Sequence, residues 1–265
     1  MTFADIHCHA LCGVDDGSKS EEMMQQLIDA EYDEQVRYLC FTPHYHPGYY
    51  GNNESRAEES FSRAVEYCKE KHPDMQLLLA NELHYSSECF SWLKSKTCRT
   101  LGGTRFVLVD FRENEEAGKI VQRTARLIGS GYKPILAHAE RYFNLSLSNL
   151  KAMRQDGILI QVNCGSCLGK FGFRAKRQAK KLLALKMVDF ISTDAHNLQD
   201  RAPQFLECYR MISKNTERIM QAIYAVIMRS VCFLTRKGTP INHGKENDNK
   251  NCNDQGSLAD LYLQT

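Results

Sequence analysis

Histidine and carboxylate side chains, which bind transition metals, stand at the ends of short apolar runs along this chain. Five of its nine histidines occupy such positions. A single histidine there is usually a capping or hydrogen-bonded residue, but the recurrence of imidazoles together with carboxylates favours a shared site. The residues are His7, His9, His44, Glu82, Asp110, His138, Asp194 and His196. This mixed set of nitrogen and oxygen ligands suits Zn, Mn or Fe better than Ca or Mg.

The spacing of His7 and His9 indicates that both rings face the same ligand. Side chains two positions apart on a β-strand point to the same side of the sheet. Two imidazoles there, beside carboxylates from other strands, would be costly to bury together without a cation. Cys8 faces the opposite way, so we do not expect it to act as a nucleophile. We interpret the remaining histidines as structural or solvated; these are His46, His72, His84 and His243.

The apolar runs themselves predict β-strands separated by helices. There are seven of them: FADIH, RYLCFT, QLLLANEL, RFVLVDF, KPILAHA, ILIQVN and VDFIST. This alternation predicts an α/β fold with a mostly parallel sheet. In such folds, sites form at the carboxyl ends of the strands, which is where the histidines and carboxylates fall. Periodicity alone leaves open a distorted (β/α) barrel or an open doubly wound sheet.

Three helices are predicted between the strands. Ser18 and Glu21 have the S-x-x-E spacing of a capping box, ahead of apolar residues at helical spacing. Residues 53–71 and 117–129 are predicted as two further helices. We expect one domain over residues 1–238, followed by a tail over residues 239–265. The tail is rich in Asn, Asp, Gly and Lys, so we expect it to be disordered.

Composition argues against several classes of protein. With 34 basic and 32 acidic side chains, the formal charge of +2 argues against a nucleic-acid partner held by the overall field. The longest apolar stretch, residues 219–228, is about half the roughly 20 residues that a membrane span needs. The start MTFADIHCH lacks the pattern of a signal peptide. Eleven scattered cysteines predict reduced thiols. We therefore expect a cytoplasmic protein without a membrane span.

Several motifs of the chain resemble those of the PHP (polymerase and histidinol phosphatase) superfamily, and in particular its bacterial capsule-associated tyrosine-protein phosphatases. They occur in the family's order between about residues 3 and 210. The matching stretches are DIHCH (5–9), GVDDGSKS (13–20), TPH (42–44), NELHY (81–85), LAHAERY (136–142), QVNCGSCLGKFG (161–172) and STDAHN (192–197), with Arg201 shortly after. The resemblance implies a distorted (β/α)7 TIM-like barrel and so favours the barrel over the open sheet.

The resemblance also implies a three-metal site, often holding manganese, with Fe, Co or Zn as other candidates. Carried over residue by residue, the first metal is implied to bind His7, His9, Glu82 and Asp194. Glu82 bridges to the second metal, which binds Asp110 and His138. The third binds Asp16, His44 and His196. Arg141 and Arg201 match the arginines that hold the substrate phosphate, and Glu140 is a candidate proton donor.

The chain departs from the family pattern in two places. The fourth strand ends in Asp110, where these phosphatases usually have Glu. Because Asp is one methylene shorter, we expect the occupancy or geometry of the second metal to differ. The segment after about Asn215 lacks a clear match to the family's last helix.

The function implied by the resemblance is metal-dependent hydrolysis of phosphotyrosine in proteins. The implied partner is a bacterial tyrosine autokinase that controls capsule or exopolysaccharide synthesis. No cysteine is followed by arginine at the C-x5-R spacing of thiol-based tyrosine phosphatases. Two alternatives stay open: a small-molecule phosphomonoesterase resembling histidinol phosphatase, and a degenerate, non-catalytic metal-binding regulatory protein.

Overall fold

The computed structural model describes residues 2–213, which alternate strands and helices. The strands in this part are β1 (Phe3–Cys8), β2 (Val36–Phe41), β3 (His44–Tyr45), β4 (Gln76–Leu79), β5 (Glu82–His84), β6 (Phe106–Asp110), β7 (Lys133–Leu136), β8 (Leu159–Asn163) and β9 (Phe190–Ser192). The helices are α1 (Glu21–Asp33), α2 (Pro47–Tyr50), α3 (Glu54–Lys71), α4 (Cys89–Ser95), α5 (Ala117–Gly129), α6 (Leu147–Gln155), α7 (Cys164–Leu168), α8 (Gly172–Ala184) and α9 (Phe205–Ser213). Short 3-10 helices occupy Leu101–Gly103 and Ala139–Arg141. The expected tail, the segment after Asn215 and His243 lie outside the described residues.

The strands form a curled arrangement of parallel sheets. One sheet has the order β1-β2-β4 and the other has the order β3-β5-β6-β7-β8-β9, with every pairing parallel. The two outer strands β1 and β9 also meet, because Cys8 and Ala195 form a parallel bridge. The N–H of His9 donates to the carbonyl of Ala195 at 2.9 Å, and the N–H of Asp194 donates to the carbonyl of His7 at 2.8 Å. The carboxyl ends of β1 and β9 are therefore adjacent.

All seven predicted runs contain strands, but one of them divides. The run QLLLANEL forms β4 and β5, which belong to different sheets. Asn81 lies at the break: its side-chain amide donates to the carbonyl of Pro43, and its side-chain oxygen accepts the N–H of Arg99. These bonds replace the regular ladder and let the chain start a new strand at Glu82, next to the two-residue strand β3.

The helices at 53–71 and 117–129 are observed as α3 and α5, but the predicted capping box is wrong. The N-cap of α1 is Ser20, whose hydroxyl accepts the N–H of Met23 at 3.1 Å. Ser18 instead donates its hydroxyl to the carbonyl of Ser20, and its N–H to the carbonyl of His9. Ser18 therefore fixes the loop against β1, and the helix starts two residues later than the S-x-x-E spacing suggests.

Apolar side chains cover both faces of the strands, as is usual in parallel sheets. All six residues of β1 are buried. On the helix side, Ile120, Thr124 and Leu127 of α5 are buried at helical spacing and present one face to the sheet. A smaller cluster on the other side includes Ile6 and Leu108. Within residues 2–213, no helix combines the length and the apolar character that a membrane crossing requires.

Candidate metal centre

The sequence-predicted ligands come together at the carboxyl ends of the strands. In each of three groups, the donor atoms lie within 4.8 Å of one another. The groups are His7, His9 and Asp194; His9, Asp16, His44 and His196; and His44, Glu82 and Asp110. The remaining residue, His138, adjoins the third group through an Nε2 atom 2.9 Å from Glu82 Oε1. The grouping differs from the implied one in that Asp110 lies with His44 rather than with His138.

The tightest cluster surrounds a point between His7 and His9. Their Nε2 atoms lie 3.0 Å apart, which confirms that both rings face the same side. Glu82 Oε2 lies 3.2 Å from His7 Nε2 and 3.3 Å from His9 Nε2. Asp194 Oδ1 lies 3.3 Å and 3.5 Å from the same two nitrogens. Ligands about 2.0–2.1 Å from a tetrahedral zinc ion are roughly 3.4 Å from one another. The two histidine nitrogens therefore have ligand spacing to each other and to each carboxylate, with His7, His9 and Asp194 as a mutually close group and Glu82 adjoining both nitrogens.

Glu82 connects this cluster to its neighbours. The side chain is fully buried, and its two oxygens lie near histidines from different segments of the chain. Oε2 lies 2.9 Å from His44 Nδ1, and Oε1 lies 2.9 Å from His138 Nε2. The break at Asn81 makes Glu82 the first residue of β5, directly paired with His44 of β3. This pairing gives one carboxylate access to both sides of the centre.

Asp16, His44 and His196 form the more accessible part of the centre. Asp16 Oδ1 lies 3.5 Å from Nε2 of His44 and 3.5 Å from Nε2 of His196. The side chain of Asp16 is 48% exposed, whereas that of Glu82 is 1% exposed. The ring centres of His9 and His196 lie 4.0 Å apart, which joins this part to the buried cluster. A substrate would therefore reach the centre from the side of Asp16.

Asp110 is held by a histidine that the sequence analysis set aside. His84 Nδ1 lies 3.0 Å and 3.2 Å from the two oxygens of Asp110. The two residues are direct partners in the pairing of β5 with β6. Of the two roles that the sequence left open for His84, structural or solvated, this contact fits the structural one and places the residue beside the centre. A signal existed in the sequence, because Glu82 and His84 are two positions apart and share one side of a strand.

Asp15, which the sequence analysis passed over in favour of Asp16, orients two of the histidines. Its Oδ2 atom lies 2.7 Å from His9 Nδ1 and accepts the N–H of His44 at 2.9 Å. Its Oδ1 atom accepts the N–H of Gly17 at 2.9 Å. Gly17 is required here, because a Cβ at this position would lie 1.8 Å from the carbonyl oxygen of His9. The adjacent aspartates of GVDDGS thus have different roles: Asp15 points inward and orients histidines, whereas Asp16 points outward as a candidate ligand.

A chain of buried amides supports the other side of the centre. Gln161 Oε1 accepts the N–H of His138 at 2.7 Å and lies 3.1 Å from His7 Nδ1. Gln161 Nε2 donates to Asn163 Oδ1 at 2.7 Å, and Asn163 Nδ2 donates to Asp194 Oδ2 at 2.7 Å. Partners of this kind fix the orientation of metal ligands. Both amides lie in the motif QVNCGSC, but the sequence alone gave them no role.

Two of the candidate ligands have a strained backbone. His138 has φ of 33° and Asp194 has φ of 54°, in the left-handed region that residues other than glycine seldom adopt. Hydrogen bonds hold both conformations, since the N–H of His138 donates to Gln161 and that of Asp194 donates to His7. Strained residues of this kind concentrate at functional sites.

Arg141 and Arg201 converge on Asp194 from outside the cluster. Arg201 Nη2 lies 2.6 Å from Asp194 Oδ2, and Arg141 Nη1 lies 3.8 Å from the same oxygen. Arg141 Nε also donates to Glu113 Oε1 at 2.9 Å. Glu140, the candidate proton donor, is fully buried instead, and one of its oxygens accepts the N–H of Asn163. The arginines therefore face the rim, whereas Glu140 lies beneath it.

Opposite charges in the centre shift one another's pKa values. Burial alone would lower the pKa of His7, but Glu82 and Asp194 raise it to about 9. Burial also opposes the charge of His44, whose pKa Glu82 raises to about 10. Burial would raise the pKa of Glu82, but His7 and His44 hold it well below its usual range. A metal that binds here would displace protons from the histidines.

Several donor atoms in the centre are buried and, although some lie close to groups of opposite charge, make no aligned hydrogen bond among residues 2–213. They are Glu82 Oε2, Asp194 Oδ1, His138 Nδ1 and His196 Nε2. Buried polar atoms are normally hydrogen-bonded, so orphaned atoms need another partner. Two of them are the oxygens that face His7 and His9. The residues present therefore fit a transition-metal site with nitrogen and oxygen ligands.

A buried acidic pair lies behind the centre. Thr193 Oγ1 lies 2.8 Å from Glu31 Oε1 and is also hydrogen-bonded to Asp5 Oδ2. Because a hydroxyl has one hydrogen, it cannot donate to both carboxyl groups, so one of them must be protonated. Burial and the charge of Asp5 raise the pKa of Glu31 well above its usual range, and burial also raises the pKa of Asp5, so the protonated form is favoured at this pair. Asp5 in turn accepts the N–H of His7 at 3.0 Å.

Comparison with known proteins gives consistent matches across the described residues. The family model for capsular polysaccharide synthesis, CpsB/CapC, matches residues 3–229, which extends beyond the last of the family motifs near residue 210. The chain is 30% identical over 218 residues to the tyrosine-protein phosphatase CpsB of Streptococcus agalactiae serotype III (strain NEM316), covering 80% of this chain and 90% of that protein. It is 29% identical over 222 residues to CpsB of Streptococcus pneumoniae, covering 79% and 89%.

A solved structure shares the fold. It comes from work on YwqE of Bacillus subtilis and CpsB of Streptococcus pneumoniae, described as unique metal-dependent tyrosine phosphatases. The TM-score is 0.78 at 24% sequence identity, and the match covers 89% of this chain and 95% of that one. The likeness supports the α/β fold with its curled parallel sheet.

Proposed function

The chain belongs to the CpsB/CapC family of capsular polysaccharide synthesis, and on this basis we propose that it is a metal-dependent phosphatase that hydrolyses phosphotyrosine in proteins. The CpsB relatives from two Streptococcus species are tyrosine-protein phosphatases. The proposal includes the barrel: with β2 and β3 sharing one position and β4 and β5 another, the nine strands would fill seven positions of a distorted (β/α)7 barrel of the PHP type. Residues 1–238 would form the phosphatase domain, and residues 239–265 a dispensable tail.

One observation carries the proposal above all: two imidazole nitrogens and the carboxylates beside them lie at ligand spacing next to two guanidinium groups. The Nε2 atoms of His7 and His9 are 3.0 Å apart and share two carboxylate neighbours, Glu82 and Asp194. Arg201 contacts Asp194 directly. A centre built of metal ligands with arginines at its edge suits a phosphate ester, because arginine can bind phosphate through two parallel hydrogen bonds.

We propose three ions, with manganese as the leading candidate and Fe, Co or Zn as others. His7, His9, Glu82 and Asp194 would hold the first, and Asp110 and His138, which both adjoin Glu82, would hold the second with it. Asp16, His44 and His196 would hold the third. Bound ions of this kind lower the pKa of water and neutralise charge on phosphoryl oxygens. The amides and aspartates behind them would keep each ligand in place.

Arg141 and Arg201 would hold the phosphate of the substrate. Both guanidinium groups now contact Asp194 Oδ2, so they lie within reach of a phosphate bound over the accessible part of the centre. Each presents several N–H donors to oxygens that gain charge as the ester bond breaks. Both side chains are partly exposed, at 29% and 25%, which leaves them free to turn toward a ligand.

Two tyrosines make the entrance suitable for an aryl phosphate. The ring of Tyr50 stacks on that of the candidate ligand His44, with ring centres 5.5 Å apart and planes 5° apart. Tyr49 is 76% exposed and packs edge-on against Tyr50. Aromatic side chains offer a substrate phenyl ring stacking and edge contacts. A tyrosine phenolate, with a parent pKa of about 10, is also a better leaving group than a serine alkoxide.

The partner would be a phosphotyrosine protein, and we propose a bacterial tyrosine autokinase that controls capsule or exopolysaccharide synthesis. The family's role in capsular polysaccharide synthesis and the exposed edge at Asp16 support this choice. The cysteines in the described part of the chain are free thiols, which supports a location in the reducing cytoplasm.

The test compares substrates with and without metal. We expect the purified protein to hydrolyse p-nitrophenyl phosphate and a phosphotyrosine peptide, to lose activity on chelation and to regain it with Mn, Co or Fe. Histidinol phosphate serves as the competing substrate; a preference for it would indicate a small-molecule phosphatase. Hydrolysis of neither class with any metal would indicate a non-catalytic metal-binding protein.

Thermal unfolding gives a readout of metal binding that does not depend on activity. We expect Mn to raise the Tm of the chelated protein, because a ligand of the folded state stabilises it. Glu82→Gln should greatly reduce this rise, whereas Glu66→Gln on the exposed face of α3 should leave it unchanged. An equal rise in both variants would remove Glu82 from the metal site.

A further inference from the structure

A pocket lies next to the candidate metal centre, on the far side of Asp110. It has a volume of about 370 Å³. Its lining includes His84, Tyr85, Phe111, Arg112, Lys119 and Arg123. Among the candidate metal ligands and phosphate-binding arginines described above, none lines it. The pocket is therefore a neighbour of the centre rather than a part of it.

The pocket carries an excess of positive charge. Arg112, Lys119 and Arg123 contribute three cationic groups, and Glu115 is the one acidic side chain in the lining. Glu115 is neutralised by Arg123, whose Nη1 atom lies 2.6 Å from its Oε2. Lys119 Nζ lies 3.0 Å from Glu116 Oε1, and the side chain of Glu116 is 75% exposed. Exposed ion pairs of this kind contribute little to stability. Lys119 and the exposed Arg112 are thus available to an anion.

The base of the pocket is aromatic and rigid. The rings of Tyr85 and Phe111 stack with centres 5.5 Å apart and planes 21° apart, and both residues are buried. Arg123 lies over the ring of Tyr85 at 5.2 Å, which fixes its guanidinium in the wall. The rest of the lining is polar, so the pocket combines placed cations with a small aromatic floor, a combination suited to a specific anionic group.

His84 forms the wall that the pocket shares with the metal centre. On one side its Nδ1 atom lies 3.0 Å from Asp110, which is grouped with His44 and Glu82. On the other side it lines the pocket and stacks on His46, with ring centres 4.4 Å apart. A peptide that crosses from the centre to the pocket passes one histidine side chain. An extended chain advances roughly 3.3 Å per residue, so one or two residues span this wall.

We infer that this pocket receives a second anionic side chain of the substrate, a carboxylate or a phosphate one or two residues from the phosphotyrosine. The inference rests on the proposed phosphatase function and adds a sequence preference to it. Arg112 and Lys119 bind the anion, and the aromatic base packs against the aliphatic or aryl part of the same side chain.

The test uses three matched substrates. They are a phosphotyrosine peptide with Glu two residues away, the same peptide with Gln there, and p-nitrophenyl phosphate. We expect the enzyme to prefer the Glu peptide, and the double variant Arg112→Gln with Lys119→Gln to lower kcat/KM for that peptide roughly ten-fold, as expected for loss of a charge-assisted contact. Its kcat/KM for the Gln peptide and for p-nitrophenyl phosphate should stay unchanged. Lys180→Gln, an exposed residue of α8, is the matched control.

A peptide with phosphoserine or phosphotyrosine in place of Glu tells whether the pocket prefers a phosphate or a carboxylate. The double variant should lose more kcat/KM on the peptide that carries the preferred anion. Equal losses on all substrates would overturn the inference, as would wild-type hydrolysis of the Glu and Gln peptides at the same rate, and both results would leave the phosphatase function standing. Failure to hydrolyse any tyrosine phosphate would overturn the proposed function and the inference with it.

Discussion

His84 and Asp110 form a pair at 3.0 Å that joins two neighbouring strands at the edge of the metal centre. We expect His84→Ala to weaken metal binding by about 10- to 100-fold, the usual cost of losing a residue that orients a ligand. Titration of the chelated protein with Mn, followed by Tm and by activity, measures the change.

His72→Ala is the control for this variant. It removes another histidine paired with an aspartate, Asp29, at 2.7 Å and away from the centre. Its apparent metal affinity should match that of the wild type. If His84→Ala also binds Mn as the wild type does, Asp110 needs no support from His84.

The replacement Asp110→Glu tests the shorter carboxylate. Because Glu is one methylene longer, we expect apparent Mn affinity to rise or to stay unchanged, measured by the same titration. A large loss of affinity would show that the centre is built around Asp110 and its partner His84.

Arg201→Ala should reduce kcat/KM by roughly ten- to a hundred-fold on peptide and on p-nitrophenyl phosphate alike, because a charge-assisted contact to phosphate typically contributes about 1.5–3 kcal/mol. Arg201→Lys keeps the charge but loses the paired donors, so an intermediate loss is expected. Arg177→Ala in α8, exposed and outside the candidate site, should change neither value. A defect confined to peptides would reassign Arg201 to sequence recognition.

Glu31 should make stability depend on pH. Its pKa is raised in the folded protein, so the folded state binds a proton that the unfolded state releases above the ordinary pKa. The contribution of this bound proton to the free energy of unfolding is fully present below about pH 4.5, and it decreases as pH rises toward the pKa of Glu31 in the folded protein. Glu31→Gln removes this titration while keeping the shape, and should flatten the fall in the free energy of unfolding above pH 4.5.

Urea unfolding at several pH values measures this slope. Glu22→Gln, on the exposed face of the same helix, is the control and should keep the slope of the wild type. A variant Glu31→Gln that is less stable at every pH would mean that the carboxyl is ionised in the folded protein.

The sequence predicted much of the architecture because the relevant signals are local. Apolar runs and helical spacing located α3 and α5 within a residue of their bounds. The division of QLLLANEL could not be predicted, since it depends on Asn81 bonding to Pro43 and to Arg99, far apart in the chain. The choice of Ser20 over Ser18 as N-cap depends likewise on the contact of Ser18 with β1.

In the candidate site, too, contacts between residues far apart in the chain could not be predicted. Strand alternation was enough to place His7 and His9 together. The roles of Asp15 and Gln161 depend on which backbone N–H groups and which ring nitrogens come within reach after folding. Hydrophobic periodicity and amino-acid composition carry no information about such contacts. His84 is the exception, because its spacing from Glu82 carried a signal that could have been used.

The left-handed backbone at His138 and Asp194 has a consequence for selection. Glycine adopts such φ values without strain, so replacement by glycine would relieve the backbone but remove a candidate ligand. At Asp194 this relief would be outweighed, because glycine would leave Arg201 and Asn163 without their acceptor in a buried site. A library screened for thermal resistance without metal would therefore be expected to accept glycine at His138 before Asp194, and such survivors would lack a candidate metal ligand.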